Sequence, residues 1–139
     1  LHINRAESTT DTNTYYENSY FSIISETTYF TNEWYHSARF LSEKIFKAIA
    51  MKHPFILVSV PNSLDILKIM GYKTFSPLIN ESYDQETDDA TRMMMILSEI
   101  ERLCNLNEIE LESFLLQARQ ICNYNYKILM SKKNFITEL

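Results

Sequence analysis

Glycine is nearly absent: Gly71 is the single one in 139 residues. That excludes the glycine-rich phosphate loops of the P-loop and dinucleotide-binding types, which need several glycines for tight turns and close backbone approach. Cysteine is scarce too. Cys104 and Cys122 are the only pair, with no histidine pair near them in the sequence, so neither a zinc site nor a disulfide scaffold is expected. A reduced, cytoplasmic setting fits that usage. Long apolar runs are missing. None approaches the roughly 20 residues of a membrane span, and no signal peptide is visible. Positive charge is in deficit, with a net charge of −5, which argues against general nucleic-acid binding. The first residue is Leu1, so a trimmed chain or a part of a longer one is expected.

What is present is apolar and aromatic. Nine Tyr, eight Phe and 45% hydrophobic residues describe a globular chain long enough for one domain with a real core. The densest stretch runs from Ser42 to Asn62, SEKIFKAIAMKHPFILVSVPN. Ser42 is a good N-cap. Glu43 and Lys44 fall in the first helical turn, where backbone N–H groups lack partners and the dipole favours anions. Phe46, Ile49 and Ala50 follow at helical spacing. Pro54 stops the helix, and 55–60 is an almost unbroken apolar run, the mark of a strand covered on both faces. Two readings of this unit stand. It can hold a nucleotide, with Lys and dipole on the diphosphate and the carboxylate on ribose hydroxyls. It can equally be an ordinary α/β packing unit with a solvated first turn.

Residues 1–19 are polar and are expected to form a loop or arm, with residues 20–139 as a single domain. Residues 20–25 alternate as a strand does. A loop rich in Thr and aromatics follows to Trp34, then the capped helix to about Lys52, then the strand 55–60. Asn62 or Ser63 can cap a helix through Met70, ended by Gly71 in the left-handed conformation. Tyr72–Phe75 reads as a short third strand, and Pro77 to Asp84 as a loop. A long helix is expected from the Glu86–Asp89 acids to about Leu103, a break at Asn105 and Asn107, and a second long helix from Glu108 to Met130. The order β, α, β, α, β and two helices predicts an α/β fold: a small Rossmann-like three-layer domain, its parallel sheet joined by right-handed crossovers, with long C-terminal helices.

Charge divides along the chain. Arg39, Lys44, Lys47, Lys52, His36 and His53 surround the capped helix, a plausible local anion site. Ten acids lie between Glu81 and Glu112; a solvated helix face accounts for them. Of these, Glu81, Asp84, Glu86, Asp88 and Asp89 match no calcium loop and lack its glycine, so no metal is expected. Glu33 and His36 could share a helix face as base and orienter, though a surface contact explains them equally. His53 at a helix end suits the dipole better than catalysis. Met93, Met94 and Met95 cannot share one face, so at least one is expected to meet a partner or the last helix. The stripe Ile109, Leu111, Phe114, Leu115, Ala118, Ile121, Cys122, Tyr126 and Leu129 is expected to cover the sheet.

The pattern Glu43-Lys44, Ala48 four residues after the lysine, Pro54, a hydrophobic strand and then Pro61-Asn62 resembles the donor-binding motif of fucosyltransferase-like glycosyltransferases. The run 71–75 with 80–84 is similar to a stretch in uncharacterised bacterial and phage proteins of that kind. The resemblance spans roughly residues 20–103. It implies the C-terminal, nucleotide-sugar-binding domain of a two-Rossmann-domain enzyme. Glu43 would then meet the ribose and Lys44 the diphosphate, with Ser42, Lys47 and Asn62 completing the donor set; no catalytic residue is assigned. The chain departs from the family where the strand ends Val58-Ser-Val-Pro61 without glycine, and the acceptor domain with its general base lies outside these residues. The expectation is a donor-binding half, inactive alone, needing no cofactor beyond its donor, that pairs with a missing N-terminal domain or with itself. The alternative is a non-enzymatic α/β interaction domain. The first demands an open pocket at the Glu43 end of the sheet, with both head groups solvent-accessible at the carboxyl end of the strand 20–25.

Overall fold

The computed structural model describes residues 13–31 and 40–137. The elements in order are α1 (Asn13–Glu17), β1 (Ser22–Ser25), α2 (Glu43–Ala50), β2 (Phe55–Val58), α3 (Ser63–Ile69), a 3₁₀ turn (Glu81–Gln85), α4 (Asp89–Cys104) and α5 (Glu108–Thr137). The fold is mixed α/β.

Among the described residues, two strands make the sheet. β1 and β2 run parallel, Ser22 opposite Phe55 through Ser25 opposite Val58. Ser22 N–H to the Pro54 carbonyl at 2.8 Å and Glu26 N–H to Val58 at 2.9 Å close the ladder at its ends. All four β2 residues are buried, as an unbroken apolar run requires. β1 buries Ile24 and leaves Ile23 half exposed, as alternation requires.

The expected third strand, Tyr72–Phe75, is not a strand. Its backbone is satisfied by side chains instead. The buried Asn125 amide clasps Lys73, accepting from its N–H and donating to its carbonyl, both at 2.8 Å. Glu81 accepts the Phe75 N–H at 2.7 Å. On the outer edge of β2, the Leu57 N–H meets the Tyr83 hydroxyl at 3.3 Å. Side chains on α5 and the 3₁₀ turn thus take the bonds that a ladder would have used.

Helix ends follow their local chemistry. α2 closes with Lys52 at φ 52°, Lys52 N–H on Ile49 and His53 N–H on Ala48, both at 3.0 Å. α3 closes the same way on Gly71 at φ 91°, with Gly71 N–H on Lys68 and Tyr72 N–H on Leu67. Both are Schellman ends; the first does without the glycine that usually supplies a positive φ. Asn107 and Glu110 exchange side-chain-to-backbone bonds at 2.9 Å, a capping box that starts α5 where the sequence breaks. α5 continues to Thr137, past the expected end at Met130.

Part of the expected polar arm is helical: Asn13–Glu17 forms α1. His53 ties this segment down. Its Nε2–H donates to the Ser19 carbonyl at 2.9 Å, its Nδ1 meets Ser22 Oγ at 2.8 Å, and Tyr16 sits edge-on at 5.2 Å. His53 is therefore a buried bracket between α1, β1 and the end of α2.

The core gathers Ile24, Ile45, Ile49, β2, Leu67, Phe75, Ile96 and Phe114, with Phe55 and Phe75 edge-to-face at 5.0 Å. The α5 stripe joins it through Phe114, Ala118 and Cys122, whereas Ile109 stays 80% exposed. Met93 and Met95 pack on the core, and Met94 points outward, 71% exposed.

Candidate functional site

Ser42 caps α2. Its backbone is extended, at φ −81° and ψ 174°, and its hydroxyl accepts the Lys44 N–H at 3.4 Å. Its own N–H donates to Glu26 Oε1 at 3.1 Å. Glu26 is 5% exposed, and its Oε2 has no partner among the described residues. The helix N-terminus attracts anions, and here the chain's own carboxylate lies against it.

Glu43 and Lys44 occupy the first turn, both exposed. Lys44 Nζ donates to the Ser25 carbonyl at 3.0 Å, which fixes the ammonium at the carboxyl end of β1. Both are exposed in the first turn as expected, and Lys44 stands at the carboxyl end of β1. Lys47, one turn on, lines the same groove as Lys44.

That groove is open, about 610 Å³ in volume. It follows β1 from Tyr15, Tyr16 and Ser19 to Ser25, with Lys44 at its carboxyl end and Lys47 one helical turn further along α2. Glu43 is not among its lining residues. Ser42 is buried as a cap. Asn62 sits elsewhere, at the start of α3, with φ 62° and no side-chain cap bond; its N–H donates to the Asp84 carbonyl at 2.7 Å. Of the five expected donor residues, only Lys44 and Lys47 share a cavity.

Directly beyond the strands, where open α/β sheets take ligands, the space is filled by Arg92, 1% exposed. Its guanidinium donates to the Ser59, Glu86 and Tyr29 carbonyls and to Asp89 Oδ1 at 2.6–3.2 Å, and lies over the Tyr29 ring at 4.4 Å. Asp89 also accepts the Thr31 N–H at 2.9 Å and the Thr31 hydroxyl. Against the cost of desolvation, these bonds hold the Asp89 carboxyl below its usual range. Arginine in an acidic helix gave no sequence signal for this role. Its guanidinium serves three carbonyls that only the fold brings together.

The acidic segment is a solvated face in part: Asp88, Glu101, Glu108, Glu110 and Glu112 are exposed, and the other five are not. Glu86 accepts the Asp88 N–H and Asp88 the Thr91 N–H, both at 2.8 Å. Glu99, 6% exposed, accepts the Asn80 N–H at 2.8 Å and binds Arg102. With Glu81, Asp84 and Asp89, these carboxylates act as backbone caps and braces. No cluster of three metal-ligating side chains occurs among the described residues. Glu33 and His36 lie outside the described residues. No described helix is long and apolar enough to cross a membrane. The chain matches no protein-family model, no curated protein and no solved structure.

Proposed function

We propose that this chain is the nucleotide-sugar-binding half of a glycosyltransferase-like protein, its β1–α2–β2 unit a reduced form of a Rossmann-like three-layer core. The observation that carries the reading is that Lys44 and Lys47 both line an open groove running along β1, with the Lys44 ammonium on the Ser25 carbonyl. The lysines hold the diphosphate as point charges. With Glu26 against the start of α2, the helix amides contribute less than in a glycine-loop site. Tyr15 and Tyr16 at the amino end of the groove offer a stacking surface for the base. The four residues of β1 separate the two ends by about 10 Å, a suitable reach for a nucleoside diphosphate. Glu43 lies at the rim of the first turn. No general base is assigned, so the half binds without transferring.

The test is a titration of the ¹⁵N-labelled chain with UDP, GDP and ADP. Amide shifts at Ser25, Lys44 and Lys47 are expected, and Lys44→Ala should weaken binding about tenfold or more, the value of a charge-assisted contact. No shift in this groove at millimolar ligand overturns the reading. It would leave the second one, an interaction domain, which the exposed Met94 and Leu97 on α4 and Ile109 and Leu116 on α5 favour.

A further inference from the structure

α5 buries Phe114, Ala118 and Cys122 in the core. Further round the helix, Glu112, Leu115, Leu116 and Arg119 stand at i, i+3, i+4 and i+7, the four corners of one hole in a helix surface. All four line an open hollow of about 500 Å³, which Glu108, Leu111 and Tyr20 complete. Leu116 is 61% exposed and Tyr20 57%. Leu115 is half-buried, and Glu112 and Arg119 are exposed. Neither charged side chain bonds to another described residue.

The pattern is self-complementary. The hole has leucines across its waist, an acid at one end and a base at the other. A two-fold axis through its centre, perpendicular to the helix, exchanges Leu115 with Leu116 and Glu112 with Arg119. Two antiparallel copies of α5 set face to face on this axis put leucine on leucine at the centre and acid on base at both ends. One turn further out, Glu108 comes to Asn123, an exposed amide, so no like charges meet. A parallel pairing sets Glu112 on Glu112 and Arg119 on Arg119, which repel. A partner charged with one sign satisfies one end of the hole and is repelled at the other. In a two-fold contact each residue and its partner must meet twice, with the roles exchanged. This face meets that condition without help from another element.

We propose that α5 pairs with α5 of a second copy of this chain, antiparallel, about a two-fold axis between Leu115 and Leu116. Burial of the leucines drives the contact. The two ion pairs fix its direction and register more than its strength. A single helix face makes a small interface, of the weak and reversible class. The proposal does not rest on the nucleotide reading, since this hollow and the lysine groove share no lining residue.

Sedimentation equilibrium of the full chain, at concentrations up to about 1 mM, should fit a monomer–dimer equilibrium. Glu112→Arg opposes base to base at both ends and should raise the dissociation constant about tenfold or more, as should Arg119→Glu. The double variant exchanges the ends and rebuilds both pairs, so it should return to within about threefold of the parent. Leu116→Asp should leave a monomer. These positions are exposed, so the variants should fold, and circular dichroism checks that they do. A chain monomeric throughout this range overturns the proposal. So does a dimer indifferent to the charge reversals, or a double variant as weak as either single one. The nucleotide titration reads the other groove, so either reading can fail alone.

Discussion

At the residue scale, several side chains have roles that composition hides. Asn125 is 1% exposed and completes both backbone groups of Lys73. Asn125→Leu keeps the size and takes this partner from the part-buried Lys73 N–H and C=O. It should cost about 1–3 kcal/mol in urea unfolding, the net value of two hydrogen bonds. Asp84 sets a pH dependence with a definite sign. Its carboxyl titrates near 6 in the fold against 3.8 as a free side chain. Between those values the native state holds more protons than the unfolded one, so this group's contribution to stability declines as pH rises from about 4 to 6. Asp88 and Asp89 act the other way. The first is lowered by its Thr91 bonds, the second by Thr31 and Arg92 against desolvation, so their contribution is lost as pH falls through their depressed values. Unfolding midpoints of the parent chain and Asp84→Asn across this range separate the two: the variant should lose the decline and keep the acid loss. The cysteines divide as cleanly. Cys104 is exposed and Cys122 buried, its thiol pushed up to about 12 by burial. A thiol reagent should modify one cysteine in the folded chain and both in denaturant.

At the scale of elements, capping decides where helices begin and end. Gly71 sits at φ 91°, and nothing lies within 4 Å of the point where an alanine methyl would stand. Gly71→Ala therefore costs only the left-handed backbone, about 1 kcal/mol, with no steric clash added. Ser42→Ala removes the α2 cap and should also cost about 1 kcal/mol. The two ends share no partner, so the double variant should lose the sum, measured by urea unfolding. Lys52 adopts φ 52° without being glycine, and its ammonium lies over the Tyr126 ring at 4.5 Å. That cation–π contact with α5 offsets part of the backbone strain. α5 likewise holds the turn after α3: Tyr124 OH donates to the Gly71 carbonyl at 3.2 Å, and Lys132 lies over the Tyr72 ring at 4.6 Å.

At the scale of the whole molecule, a sheet of two short strands cannot stand alone. It is stabilised because helices and aromatic loops bury β2 completely. The apolar side chains left outside, Ile69 at 85% and Ile109 at 80% exposed among them, are the ones that a second copy or another domain would cover. If the chain is half of an enzyme, sedimentation equilibrium should show concentration-dependent self-association, and a donor-hydrolysis assay should show no turnover. A strictly monomeric chain speaks against the half-enzyme reading, and turnover would show that the chain carries its own catalytic group.

Whatever depends on neighbours in sequence was legible there: the Ser42 cap, the buried run of β2, the Gly71 stop, the break before α5, and Lys44 in the first turn of α2. These follow from capping, periodicity and backbone sterics, which act over a few residues. What depends on distant contacts was not legible. Tyr72–Phe75 has the composition of a strand, yet Asn125, 52 residues from Lys73, takes the backbone bonds that would have made it one. The space beyond the strands looks open from sequence, yet Arg92 fills it, 33 residues from Ser59. Five donor residues were expected to meet, and the fold keeps two in one groove, because Ser42 is consumed as a cap and Asn62 belongs to the start of the next helix. Local propensity sets which segments are helical or extended. Which polar groups are then satisfied, and so which edges and cavities remain for a ligand, is decided only when the chain closes on itself.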